Sequence, residues 1–299
     1  MTDPSERALQ QVQKQPPDTK RPVLLAGPTA SGKSALALWL ARAQGRVIIN
    51  ADALQVYDMW RVLSARPDDH DTAQARHFLY GCVARGQDWS VGHWLRALRP
   101  LLAQYPNAVI VGGTGLYFRA LTEGLVEIPP TPAAIRADAD QRMADQGAAA
   151  LLAELDAATA ARIDTANPAR IQRAWEVLRT TGRGLASWQD DTPPPLLAQR
   201  DTTPYVLRPP KDWLNARIDS RFEQMIAAGA LDEARAALPH WQPGAPWTKA
   251  IGAPELIAHL QGHISLPDAI DAAKLATRQY AKRQRTWFRN RMQGWILLP

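Results

Sequence analysis

Eight residues constrain this chain more than any other feature: Gly27-Pro28-Thr29-Ala30-Ser31-Gly32-Lys33-Ser34. They match G-x-x-x-x-G-K-[ST] and lie between an apolar run, residues 22–26, and a segment of helical composition, residues 34–43. Strand, glycine-rich loop and helix in that order make a phosphate cradle. The glycines let successive N–H groups of residues 29–34 and the helix N-terminus face an anion, Lys33 adds charge, and the Ser34 hydroxyl is placed to hold Mg²⁺. A di- or triphosphate site is therefore expected at Gly27, Thr29, Ala30, Ser31, Gly32, Lys33 and Ser34. The motif is common to ATP-binding proteins and does not say whose phosphate it holds.

Two further apolar runs follow, 47–49 ending at Asn50 and 108–111 ending in Gly112-Gly113-Thr114. Such runs, without polar alternation and separated by helical segments, belong to a parallel sheet covered on both faces, with ligands at the carboxyl ends of the strands. The expected fold class is α/β, a P-loop NTPase-like parallel-sheet core with a helical insertion domain. The insertion is read at residues 127–197, between the proline clusters Pro129-Pro130 and Pro193–Pro195. It holds an Ala-rich helical stretch, 133–161, and a helix at about 168–180 with Asn167 as its cap. The core takes residues 21–126 and 198–299, with Val206 and Leu207 returning to the sheet and residues 211–238 and 266–291 supplying helices. Residues 1–20 read as a flexible polar tail.

A formal net charge of +6 favours an anionic partner, and its distribution sharpens that reading. After Asp271 no acidic residue occurs, while Lys274, Arg278, Lys282, Arg283, Arg285, Arg289 and Arg291 do, interleaved with Tyr280, Trp287 and Phe288. A helix face built for solubility mixes both signs, so this one-sign stretch is expected to meet phosphates and bases. One cysteine, Cys82, excludes an internal disulfide and Cys-rich zinc modules, which fits a reducing compartment. The polar N-terminus lacks a signal-peptide core and no stretch approaches ~18 apolar residues, so a cytoplasmic protein without membrane contact is expected.

A nucleotide hydrolase or kinase also needs an acidic residue after an apolar strand to help hold Mg²⁺. The run 108–111 offers none. Asp52, after the second run, is the best carboxylate for a general base, and it reads equally as a metal-linked residue or a helix cap. Gln55, three residues on, has both donor and acceptor for an adenine edge. Arg217 and Arg221 stand i, i+4 on one helical face, so both are candidates for one anion.

The ordered segments Gly27 to Ser34, Asp52-Ala53-Leu54-Gln55-Val56-Tyr57, Gly112-Gly113-Thr114-Gly115-Leu116-Tyr117-Phe118, Asn167 to Arg173, and Thr277 to Phe288 carry a resemblance. Together they resemble the bacterial tRNA dimethylallyltransferase (tRNA isopentenyltransferase) family, from about Val23 to Trp295. The third and last segments are the specific ones. The resemblance implies transfer of a dimethylallyl group from dimethylallyl diphosphate to N6 of adenosine 37 in tRNA, with diphosphate released. It implies Mg²⁺ as cofactor, Asp52 as general base, Lys33 and Thr29 at the departing charge, and one of Arg217 and Arg221 on diphosphate. The partners expected are tRNA, through its anticodon stem-loop, and dimethylallyl diphosphate, met by a monomer. The expected tRNA-contacting residues are Asp52, Ala53, Leu54, Gln55, Thr114, Arg136, Arg170, Arg173, Lys249, Lys282, Arg283, Arg285 and Trp287, the last by stacking. Ala53 and Ala253 depart from the family pattern, which usually has Ser and often an aromatic there.

Two other readings compete. A P-loop kinase acting on a small metabolite or nucleoside needs neither the basic C-terminal stretch nor the insertion. A non-catalytic RNA binder does not need a complete phosphate loop beside Asp52.

Overall fold

The structure, a computed structural model, describes residues 3–299. Six strands form one sheet: β1 (Val23–Ala26), β2 (Ile48–Asn50), β3 (His77–Phe78), β4 (Val109–Gly112), β5 (Thr203–Leu207) and β6 (Ile296–Leu298). Their order is β3-β2-β4-β1-β5-β6 and every pairing is parallel. Val23 pairs with Val109 on one side and Thr203 on the other, so β1 sits at the centre with both edges bonded. All four of its residues are buried, which explains the absence of alternation in its sequence.

Successive β1 side chains serve opposite faces. Leu24 and Ala26 join Ile49, Ile110, Trp94, Phe118 and Phe288 in one core cluster. Val23 and Leu25 join Ile48, Val109, Leu36 and Leu40 in another, covered by helix Lys33–Gln44. That second face also buries Ala8 and Val12 of a helix at Pro4–Lys14, which corrects the expected flexible tail. The Asp3 carboxylate caps this helix by accepting the Ser5 N–H at 2.7 Å, and a proline stands in its first turn. Only Ala8, Leu9 and Val12 mark its apolar face, too few to register as periodicity; packing on the sheet supplies what the local pattern lacks.

Residues 123–195 form a separate unit, against 127–197 expected from the proline clusters. Its core is Ala139, Leu151, Ile171 and Trp175. The Ala-rich stretch is three helices and not one, Ala133–Gln146, Ala148–Ala153 and Ala157–Arg162. Gly147 breaks the first at φ +75°, and Asp156 starts the third by accepting the Thr159 N–H. Helix Pro168–Thr181 follows, with Asn167 at its cap position but making no side-chain cap bond. Glu154 accepts from Arg142, Arg179 and Trp175 Nε1, and these donors hold its carboxyl down to about 2.

In the larger unit, residues 211–238 divide at Gly229, φ +100°, into Lys211–Ala227 and Ala230–Ala237. The basic stretch is one 26-residue helix, Leu266–Arg291, capped by Ser265. Among the described residues no helix is long and apolar enough to cross a membrane.

Candidate active site

The phosphate loop leaves the C-terminal end of β1 at the sheet's centre, beside the end of β4 and one strand away from that of β2. Ala30 at φ +62° and Gly32 at φ +87° give the loop its left-handed curl, and Gly32 caps helix Lys33–Gln44. Not all the expected amides face outward. Thr29 N–H donates to Gln284 Oε1 at 2.9 Å and Ser31 N–H to the Pro28 carbonyl at 3.3 Å. Within the loop the Thr29 and Ser31 amides are thus engaged, and the helix start adds its own first amides, which have no intrahelical partner, as donors for an anion.

Lys33 is 8% exposed and its Nζ lies 3.4 Å from the Pro28 carbonyl. Burial pulls its pKa down to about 8; Asp52 opposes that fall and Arg221 adds to it. Arg221, on helix Lys211–Ala227, reaches the Thr29 hydroxyl at 3.4 Å and is likewise lowered by burial against the pull of Asp52. Arg217, one turn earlier, is exposed and lies 4.8 Å over the Trp213 ring. The structure thus separates the two arginines, with Arg221 alone on the cavity wall.

That cavity opens to solvent and encloses about 740 Å³ of empty space, its mouth included. The phosphate loop and its surroundings contribute Thr29, Ala30, Lys33, Ser34, Asp52 and Arg221 to its lining, and the apolar contribution is Leu54, Leu63, Ile218, Phe222, Met225 and Ile251. Gln55, Ser64, Ala250, Thr277 and Tyr280 complete the lining. Asp52 is the only carboxylate among these residues. Its own N–H donates to Asn50 Oδ1 at 2.8 Å, and its Oδ1 accepts the Leu54 N–H at 3.0 Å. Asn50 is itself buried and donates to the Asp52 and Leu79 carbonyls, so the carboxylate stands on a fixed turn.

The glycines at the end of β4 and just beyond it are there because other groups lie where side chains would be. A Cβ on Gly112 would sit 2.0 Å from the Ala51 carbonyl oxygen. On Gly113 it would meet Gln284 Nε2 at 2.3 Å and Asp52 Oδ2 at 3.0 Å, and on Gly115 the Trp287 ring at 2.2 Å. Thr114 accepts the Ala53 N–H at 2.9 Å, tying this turn to the Asp52 segment. Trp287, expected to stack on a base, is half-buried, packing on Gly115 and edge-on to Phe288 at 5.8 Å.

Sequence reasoning missed Gln284. It is 6% exposed, accepts from Thr29 N–H and donates to the Gly113 carbonyl at 2.9 Å, joining the phosphate loop to the β4 turn. The signal was present: residues 273, 277, 280, 284 and 287 share one face of the basic helix by steps of three and four. A Gln284→Met variant leaves both backbone groups unpaired, at ~1–3 kcal/mol each. Chemical denaturation is expected to show that loss together with weakened donor binding.

The remaining candidates lie elsewhere. Lys282 and Arg283 are exposed on the basic helix, with Arg285 half-buried beside them. Lys249 is exposed beside Trp241, Pro243 and Thr248. In the smaller unit, Arg136 and Arg173 pair with Glu176, a buried carboxylate, at 3.0 and 3.7 Å, and Arg170 lies 3.8 Å from Asp164.

Residues 55–291 match the family model described as IPP transferase, and residues 21–83 one described as isopentenyl transferase. The chain belongs to the IPP transferase family. A tRNA dimethylallyltransferase of Cereibacter sphaeroides is 64% identical over 281 residues, covering 93% of this chain and 90% of the relative. One from Dinoroseobacter shibae is 63% identical, covering 93% and 95%. Among solved structures, the full-length tRNA isopentenylpyrophosphate transferase of Bacillus halodurans is similar at a TM-score of 0.65 and 28% identity, covering 93% of this chain and 89% of the other. A eukaryotic dimethylallyltransferase acting on tRNA shares the fold at a TM-score of 0.78 and 23% identity, covering 93% and 73%. As a member of this family the chain is a transferase, and the parallel sheet with its phosphate loop and helical insertion is the family's fold.

Proposed function

We propose that the chain transfers a dimethylallyl group from dimethylallyl diphosphate to N6 of adenosine 37 in the anticodon stem-loop of tRNA. The observation that carries this reading is one cavity lined by the phosphate loop and its cations, by aliphatic and aromatic side chains, and by a single carboxylate. A small-molecule kinase needs a polar acceptor pocket where this chain has Ile218, Phe222 and Met225. Membership in a family of tRNA-modifying transferases agrees.

In this reaction N6 attacks the allylic carbon, the C–O bond to diphosphate breaks, and the N6 proton passes to the Asp52 carboxylate. Negative charge grows on the departing oxygen, where Lys33, Arg221 and the amides of the helix start stand ready without reorganising. Ser34 lines the cavity and its hydroxyl offers an oxygen donor of the kind Mg²⁺ prefers, so it is the residue that would hold the ion against diphosphate. Among the described residues no three acidic, His or Cys groups converge, so a bound Mg²⁺ would depend on diphosphate and water for its other ligands. When bound there, Mg²⁺ would supply charge neutralisation for the leaving group.

Incubating the protein with dimethylallyl diphosphate, Mg²⁺ and unmodified tRNA is expected to yield N6-prenyl adenosine on digestion. Nucleoside phosphorylation from ATP, without prenylation, would return the kinase.

The RNA interface gives a further prediction. Replacing Lys282, Arg283 and Arg285 with Ala is expected to weaken binding of many RNAs alike and to flatten the salt dependence, the log-log slope falling by ~0.7–0.9 for each phosphate no longer neutralised. Salt titrations of tRNA binding check it, and an unchanged slope would make that cluster an ordinary solvated face. Arg136 and Arg173 suit this test less well, because removing either one also takes a partner from buried Glu176.

A further inference from the structure

Gln55 is held by a loop that has no regular structure of its own. Its Nε2 donates to both the Ser64 and Ala65 carbonyls, each at 2.9 Å. Two acceptors on one end fix which atom of the amide is nitrogen and use both of its protons. The other end, Oε1, then has only the role of acceptor at the cavity that Gln55 lines. An acceptor there suits the exocyclic amine of adenine and disfavours a base with a carbonyl at the same position.

What folds residues 61–66 is a carboxylate from another element. Glu233, on helix Ala230–Ala237, accepts the Arg61 and Val62 N–H groups on Oε1 at 2.6 and 2.7 Å and the Leu63 N–H on Oε2 at 2.9 Å. Three successive amides converge on one anion, an arrangement usually seen around bound phosphate, here filled by the protein's own side chain. Bonds to an ionised acceptor are the strong kind. The loop closes on itself beyond that anchor: Ala65 N–H donates to the Val62 carbonyl at 2.9 Å, Arg66 N–H to the Arg61 carbonyl at 3.0 Å, and the Ser64 hydroxyl to the Trp60 carbonyl. Ala65 is held at φ +51°, a left-handed conformation that a non-glycine residue adopts only under such restraint.

We infer that Glu233 is a positioning residue: by pinning the amides of residues 61–63 it sets the Ser64 and Ala65 carbonyls that orient Gln55, and so the acceptor presented to the target base. This rests on the transferase reading above and names a determinant of base selection within it. Leu63 and Ser64 of the same loop also line the cavity, so Glu233 shapes that wall as well.

The test is a double-mutant cycle on the full-length protein, Glu233→Ala with Gln55→Ala, reading kcat/KM for tRNA under saturating dimethylallyl diphosphate. Glu233→Ala alone is expected to lower kcat/KM roughly ten- to a hundredfold, by analogy with loss of bonds to a charged group. In the Gln55→Ala background the same change is expected to cost less than about threefold, because the group it orients is already gone. Equal losses in both backgrounds, or no loss in either, would overturn the inference. If Glu233→Ala does not fold, Glu233→Gln supplies the cycle, since it removes the charge and keeps one acceptor. Hydrogen exchange of the amides of residues 61–66 is read in parallel and is expected to speed up in the Glu233 variants. That measurement needs no turnover, so a wild-type protein that makes no prenyl adenosine would defeat the transferase reading alone, whereas unchanged exchange would defeat the anchoring.

Discussion

Replacing Asp52 with Asn is expected to leave the chain folded and tRNA bound while lowering turnover ~10²–10⁴-fold, the usual range for removal of a general base. Asn keeps the side chain's size and an oxygen to accept the Leu54 N–H, and the Asp52 N–H still has Asn50 Oδ1. What disappears is the one carboxylate lining the cavity, and no neighbour replaces it as proton acceptor. A second consequence follows from charge. Asp52 counters the burial that pulls the Lys33 pKa down, so in the Asn variant Lys33 loses its proton at lower pH than in the wild type. Donor binding is then expected to weaken at a lower pH in the variant. Single-turnover rates across pH, with donor affinity measured on the same samples, separate the two effects. A loss below about tenfold at a pH where Lys33 stays charged would assign Asp52 to holding the loop and not to moving a proton.

The parts of this site legible in the sequence are those fixed by short-range chemistry. The phosphate loop announces itself because its backbone curl needs glycine at Gly32 and its anion needs Lys33. Asp52 and the Gly112-Gly113-Thr114 turn are legible because strand ends in parallel sheets collect ligands. The basic helix is legible over residues 266–291 because a Ser cap, a proline in the first turn and unbroken helical composition agree.

The parts not legible depend on partners far along the chain. Gln284 reads as one more polar residue in a cationic run until the helix is laid against Thr29 and Gly113. Glu233 reads as helix-surface charge until residues 61–63 turn their amides toward it. The choice between Arg217 and Arg221 rests on helical rotation, which i, i+4 spacing leaves open; the fold turns Arg221 to the cavity and Arg217 onto Trp213. Strands of two and three residues, β3 and β6, give too little pattern to find, and two of the three β6 side chains are exposed.

Lys33→Met is expected to give a chain that melts higher at neutral pH and has lost ~10²–10³-fold in turnover, the scale for removing one preorganised group that meets developing charge. The stability half of this follows from burial. The Lys33 pKa falls from 10.5 to about 8 in the folded chain, so below pH 8 the fold carries an ammonium that its surroundings disfavour. The cost is on the order of 3 kcal/mol by linkage. Its sign is set by proton counts: between pH 8 and 10.5 the unfolded chain holds more protons at this residue than the folded one, so this group makes stability rise with pH across that window. Met has no charge to bury, fits the same unbranched channel, and gives up only a long bond to the Pro28 carbonyl. Its advantage is therefore present in full at pH 7 and fades toward pH 10.5. Donor binding runs the other way. In the wild type, affinity for dimethylallyl diphosphate is expected to fall as pH rises through about 8 and the ammonium is lost, whereas in the Met variant it is weak and flat across that range. Thermal melts and donor titrations of both proteins at pH 7 and pH 10 check the pair of trends together. A Met variant that melts below wild type at pH 7 would mean that Lys33 stabilises the empty loop, and its charge would then be held for the fold before it is held for the diphosphate.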